Sequence, residues 1–259
     1  MNATWWCVAS DAPWSWQWRP YAGAWAIAVV LLGLRAAWEW RSGPGQARGA
    51  LAWFLLAVVS VWAATDWPVA ALGAGYLLSI HTLQYLVLGL IAPALLLLGV
   101  PGEVWNRWLA TSRGRALLTG LARPGVGLLG FTVILVITHV PALLDWMMTS
   151  PGGSFAVDMS WLAAGLLLWL PVLAASPLAL PVNARVGYLA AAAVPHAIPA
   201  AFLLFSDYPL YRVFELAPRI AGIDAATDQQ IAGAVMNFGS MLVLLAAFSV
   251  AFFRMAREA

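Results

Sequence analysis

The stretch 75–101, GYLLSIHTLQYLVLGLIAPALLLLGVP, contains no charged residue and is the longest apolar run in the chain. A helix needs only about 20 such residues to cross the ~30 Å hydrocarbon core of a bilayer, so this run has the length of a membrane span. His81, Gln84 and Tyr85 fall at i, i+3 and i+4 and share one face. Leu86, Val87, Leu90 and Ile91 cover the other faces. A polar stripe gains nothing from lipid, so it is expected to face protein or a small polar cavity. Pro93 lies in the same run; its ring clashes with the carbonyl of Gly89 and removes that carbonyl's donor. A kink is therefore expected beneath the stripe.

The rest of the chain repeats the pattern. Charged residues make up 9% of its 259 residues and hydrophobic ones 63%, whereas a soluble domain carries about 25% charge. The sequence thus reads as an integral membrane protein, with the lipid bilayer as its solvent. Many of its 16 tryptophans lie near the ends of apolar runs, as in aromatic belts at bilayer interfaces. A net charge of +2 without a basic patch argues against a nucleic-acid partner. The single cysteine, Cys7, excludes an internal disulfide and any C-x-x-C metal site. Residues 1–19 carry five tryptophans and lack the basic start and unbroken apolar core of a secretory signal. They are expected to form an interfacial segment ahead of a single transmembrane domain over 20–259.

Seven spans are expected, near 21–40, 49–65, 72–99, 125–146, 158–175, 185–206 and 230–253. The fold class is an all-α polytopic bundle. With the N-terminus outside, ten of the 13 basic residues, all arginine, lie on the cytoplasmic side, and only Arg19, Arg212 and Arg219 lie outside. That bias predicts an N-out, C-in orientation. Asp11, Asp66, Asp145, Asp158, Asp207, Glu215, Asp224 and Asp228 would be external.

At 1.5 Å per residue, His81, His139 and His196 come to lie roughly 10–15 Å below the outer surface, in one layer. They are the only three histidines. Met1, Met147, Met148, Met159 and Met236 fall in or near the same half, Met236 on the seventh span. Two histidines are flanked by proline, in H-V-P (139–141) and P-H-A-I-P (195–199), and proline in a membrane helix frees backbone carbonyls. Imidazole suits copper and zinc, and thioether favours Cu(I). A copper site of His81, His139 and His196 assisted by Met236 is the reading that follows. A three-histidine zinc site or bis-histidine haem ligation are lesser options. The plain alternative is that each imidazole is neutral polar glue between helices, a role for which such bonds average about 0.6 kcal/mol.

The segment T-D-Q-Q-I-A-G-A-V-M-N-F-G (227–239) opens the seventh span. Thr227 or Asp228 is expected to cap it, with Gln229 beside them. Gly233 and Gly239 permit close helix approach, and Asn237 needs a partner at depth. Asp145, near the outer mouth, is a relay candidate that more simply faces water.

H-T-L-Q-Y-L-V-L-G-L-I-A-P-A-L-L-L-L-G-V-P (81–101), T-H-V-P-A-L-L-D (138–145), D-Q-Q-I-A-G-A-V-M (228–236) and W-R-P (18–20) together resemble the CtaG-like, multi-span cytochrome c oxidase assembly factors of bacteria. The resemblance implies a role in forming a haem–copper oxidase in the bacterial cytoplasmic (inner) membrane, with oxidase subunits as partners and copper delivery as the associated chemistry. The family pattern places a second histidine four residues after the one matching His81, where this chain has Tyr85. It places a tryptophan after the methionine matching Met236, where this chain has Asn237.

The function expected is a non-enzymatic assembly factor that holds or delivers copper near the outer leaflet. Gln84 and Tyr85 would orient the ligands, and binding would weaken as the imidazoles protonate. The other classes are a metal-free scaffold for oxidase subunits and a copper or haem carrier or channel. An enzyme is disfavoured, since no nucleophile–base pair or carboxylate pair lies at depth.

Overall fold

A computed structural model describes residues 4–42 and 48–258. The predicted connection at 41–48 therefore lies largely outside the described residues, as does Met1. The described residues form helices and no strands. In order these are α1 (Ala22–Ser42), α2 (Arg48–Thr65), α3 (Val69–Gly75), α4 (Leu78–Leu86), a π turn (Val87–Ile91), α5 (Ala92–Leu98), α6 (Gly102–Ala110) and α7 (Ser112–Leu121). They continue as α8 (Pro124–Thr138), α9 (Pro141–Met148), α10 (Pro151–Leu173), α11 (Val182–Phe205), α12 (Arg212–Glu215) and α13 (Ala225–Glu258). Five helical segments are long and apolar enough to cross a membrane, and seven if two bent pairs each count as one span. The bent pairs are Ala50–Thr65 with Val69–Gly75, at 45°, and Ser112–Leu121 with Pro124–Thr138, at 61°.

The span Leu78–Leu98 is the axis of the bundle: 67% of it is buried, against 11% of Ala22–Arg41 at the periphery. Its irregularity falls where Pro93 required one, but it takes the form of a π turn within a continuing span rather than a sharp kink. The Ala92 N–H reaches back to the Val87 carbonyl, and the Leu90 carbonyl accepts from the Trp169 indole at 2.8 Å. Gly165 of α10 lies against this turn, where a Cβ would meet the Gly89 carbonyl and the Pro93 ring. Gly233 lets α13 close on Ala200 and Leu204 of α11, and Gly239 lets it close on Leu86, as expected of small residues in membrane helix contacts.

The termini of the axial span are tied by charge. At its start, Asp228 of α13 accepts from the Leu78 N–H at 2.6 Å and from the Ser79 hydroxyl at 2.5 Å. At its end, buried Arg35 of α1 donates to the Gly99 carbonyl at 2.8 Å and pairs with Glu39 at 3.0 Å. A cation at a helix C-terminus and an anion at an N-terminus both complement the helix dipole.

Several boundaries differ from expectation. The fourth predicted span, 125–146, is broken between α8 and α9, because the residue before Pro141 is pushed out of the α region: Val140 has φ −70° and ψ 118°. The third loses its first residues to α3. The fifth begins at Pro151, where the Ser150 side chain caps it by accepting from the Gly153 N–H at 3.1 Å. Asp158 therefore lies two turns inside α10, buried, rather than at its mouth. The predicted loop 99–124 folds as α6 and α7, and α13 begins several residues before its predicted start. Its cap is Asp224, which accepts from the Ala226 and Thr227 N–H groups at 3.0 and 2.9 Å. Neither Thr227 nor Asp228 serves as cap. The Thr227 backbone and hydroxyl bonds hold the exposed Asp224 carboxyl below its ordinary pKa.

The N-terminal segment is not confined to the rim. Trp16 and Trp18 are exposed, but Trp6 and Cys7 are buried against α10. The Trp6 indole donates to Asp158 at 2.9 Å, Cys7 Sγ lies 3.3 Å from Ser154 Oγ, and Ala9 N–H donates to the Met148 carbonyl at 3.0 Å. A carboxylate inside an apolar helix needs a donor, and the segment supplies it. Asp66 is similarly buried, accepting from the Tyr21 N–H at 2.7 Å and the Trp25 indole at 2.9 Å.

Candidate functional site

Tyr85 stands at the centre of the polar residues singled out in the sequence. Its ring meets His139 edge-on at 5.5 Å between centroids, His196 at 6.2 Å and Trp161 at 5.4 Å. His81, one turn earlier on α4, packs edge-on against the same Trp161 at 4.9 Å and against Phe214 of α12 at 5.6 Å. The three imidazoles thus come from α4, the α8–α9 break and α11, and gather around one phenol and one indole.

Each is positioned by its local backbone. His139 occupies the break that Pro141 imposes, at φ −103° and ψ 4°. Its Nδ1 lies 2.8 Å from the Leu135 carbonyl, and its own carbonyl accepts from the Tyr211 hydroxyl at 3.0 Å. His196 sits between Pro195 and Pro199 in α11, with Nδ1 3.1 Å from the Ala192 carbonyl and its ring 5.3 Å from Phe131. A carbonyl can only accept, so in both residues Nδ1 carries the proton and Nε2 presents a lone pair. Trp161 is held in turn by its indole N–H, 3.0 Å from Thr138 Oγ1.

Three buried polar atoms here have no hydrogen-bond partner: His81 Nε2, His196 Nε2 and the Tyr85 hydroxyl. Leaving a buried polar group unbonded costs about 1–3 kcal/mol, so three in one cluster mark a place that the fold does not satisfy by itself. Among the described residues, no three His, Cys, Asp or Glu side chains lie close enough to hold one metal ion. His139 and His196 flank Tyr85, while His81 lies on the far side of the cluster against Trp161 and Phe214.

The remaining candidates divide. Met236 is fully buried on α13, between the Asp228 tie to α4 and the Gly239 contact with Leu86. Gln84 turns away from the cluster: its amide nitrogen donates to the Ala64 carbonyl at 2.8 Å, and its side chain fills the space over Gly73. Gln229 pins the loop before α12, accepting from the Leu210 N–H at 2.7 Å and donating to the Tyr208 carbonyl at 3.2 Å. Asp145 does not simply face water; it accepts from the Arg212 and Val213 N–H groups at 3.2 and 3.0 Å and so seats α12. Asn237 is half-buried and takes no part in the cluster's bonds; its carbonyl accepts from Ser240 at 3.2 Å.

Tyr211, Phe214, Trp161 and Thr138 were not anticipated. Burial and the nearby Asp145 carboxylate raise the Tyr211 phenol above its ordinary pKa, keeping it a donor to His139. A cavity of about 290 Å³ lies between α8–α9 and α11, lined by His139, Pro141, Pro199, Phe202 and Tyr211 among others. Phe202 and Ile198 on its wall are exposed, so the cavity opens sideways, on the face a bilayer would cover.

No curated protein and no solved structure matches the chain. Residues 31–258 match the family model described as cytochrome c oxidase caa3 assembly factor (Caa3_CtaG). Since the match spans most of its length, this membrane chain belongs to the family of cytochrome c oxidase caa3 assembly factors.

Proposed function

We propose that the protein is a non-catalytic assembly factor of a bacterial cytoplasmic membrane that passes copper to a haem–copper oxidase through its imidazole cluster. Copper is the cargo here, not a resident cofactor. The observation that carries this reading is the pair of buried, unbonded Nε2 atoms of His81, packed on Trp161, and His196, packed on Tyr85. With Nδ1 engaged by backbone carbonyls, His139 and His196 both present the nitrogen that binds metal. Because His139 and His196 flank Tyr85 and His81 sits apart on Trp161, they would supply donors singly or in pairs, as suits an ion in passage. Met236, buried on α13, is the thioether assigned to this path. The arginine distribution supports an N-out orientation, which sets the cluster toward the outer leaflet.

The test is Cu(I) binding by the detergent-purified full-length chain against a competing chelator, with the His139→Ala/His196→Ala variant alongside. The native chain is expected to retain copper at least about tenfold better. Equal retention in two equally folded proteins would remove the ligand roles.

The central Tyr85 ring and the lack of a three-ligand group among the described residues favour a second reading, a metal-free scaffold for oxidase subunits. Oxidase that forms with a full copper complement in cells carrying the double variant would establish it.

A further inference from the structure

At the opposite end of the axial span from Asp228 a groove of about 510 Å³ opens between α2, α5, α10, α11 and α13. Its walls are apolar side chains, including Trp53, Leu95, Val243 and Val250, over a buried floor of Leu90 and Trp169. The Trp169 indole N–H is already taken by the Leu90 carbonyl, so the interior offers an occupant no polar partner there. Polarity enters only at the mouth, where Arg185 and Arg254 stand, and no acidic side chain lines the groove among the described residues. Arg185 donates Nε to the Leu180 carbonyl at 2.7 Å, which fixes its guanidinium at that rim.

The dimensions choose between occupants. From Val243 to Arg254 along α13 the groove runs about 16 Å at 1.5 Å per residue. A volume of about 510 Å³ over that length corresponds to a void roughly 9 Å across. A helix with side chains is about 10–12 Å wide and does not fit, whereas a single hydrocarbon chain does.

We infer that this groove binds an anionic phospholipid, one acyl chain lying along α13 and the phosphodiester between Arg185 and Arg254. The site is separate from the imidazole cluster, and its failure would leave the proposed function untouched. Guanidinium groups suit phosphate because their planar donor fork matches its oxygens.

Native mass spectrometry of the full-length chain in mild detergent, titrated with phosphatidylglycerol and with phosphatidylcholine of the same acyl chains, tests it. The native chain is expected to prefer phosphatidylglycerol by about fivefold or more. Arg254→Gln alone should lower that preference by at least about twofold, and Arg185→Gln/Arg254→Gln should bring it to about one. Val250→Trp, at an exposed position on the wall, should reduce retention of both lipids by occupying the groove. A native preference near one, or full retention by the Val250→Trp variant, overturns the proposal. So would a cysteine cross-link at the groove that joins two copies of the chain.

Discussion

The Tyr85 ring stands edge-on to His139 at 5.5 Å, and its hydroxyl, fully buried, donates to nothing. Tyr85 also occupies the position at which the family resemblance leads one to expect a fourth imidazole. Two substitutions separate packing from ligation. Tyr85→Phe removes an unbonded hydroxyl without changing the ring, so the melting temperature in detergent should hold or rise, by up to ~1 kcal/mol of stability. Tyr85→His should raise Cu(I) affinity by about tenfold or more if the neighbouring Nε2 atoms ligate. Unchanged affinity in a folded Tyr85→His protein would count for the scaffold.

Asp228 joins the first turn of α13 to the first turn of α4, across 150 residues of chain. Asp228→Asn keeps the shape and loses the charge, and is expected to cost about 1.5–3 kcal/mol, read as a lower melting temperature. Asp224 makes the contrast. Its folded pKa is depressed, so its contribution is present above the carboxylate's unfolded pKa and is lost as pH falls through the lower folded value. Asp224→Ala should therefore lower the melting temperature less than Asp228→Asn, and the difference from native should shrink on acidification. A pH-independent difference would show that the charge is not what caps α13.

Gly165 faces the Gly89 carbonyl and Pro93 ring, neither of which can move without disturbing the π turn. Gly165→Ala should destabilise by about 1–3 kcal/mol through overpacking. Gly33, on peripheral α1, has open space around it. Gly33→Ala should leave stability unchanged or improve it by about 0.5–1 kcal/mol, the ordinary helix preference. Equal effects at the two sites, measured by thermal unfolding, would mean that α10 does not press on the turn.

Burial and the neighbouring Asp158 carboxylate raise the Cys7 thiol above its ordinary pKa, so at pH 8 little thiolate forms in the folded chain. Maleimide labelling followed by mass spectrometry should be at least about tenfold slower than in the detergent-unfolded chain. Trp6→Ala, which opens the cover over Asp158, should restore much of the rate. Fast labelling of the native protein would mean that the N-terminal segment is not seated on α10.

The site is legible in the sequence as residue types, not as contacts. His81 and Tyr85 fall on one helix face by counting, and Pro141 marks the break beside His139, whereas α11 runs unbroken through Pro195 and Pro199 around His196. Gln84 went astray because residues adjacent on a helix differ by about 100°, so a stripe assigned to one face can serve two neighbours. Asp158 is placed at a helix mouth by counting because a boundary shifted by a few residues exchanges a mouth for an interior, and Asp145 is expected to face water because the α12 backbone it holds is remote in sequence. Their partners, Trp6 and the backbone of Arg212 and Val213, carry no local mark.

What the amino-acid sequence determined by itself was the membrane-spanning helical class, since backbone groups in hydrocarbon must be satisfied within each segment, and consecutive apolar residues decide that locally. It also determined the family, through motifs spread along the chain. Only the tertiary structure decided that His139 and His196 flank Tyr85 while His81 packs on Trp161, that Asp228 serves α4, and that the N-terminal segment enters the bundle. These depend on how helices far apart in the chain rotate and close on one another, and close packing sets that angle through all its neighbours together.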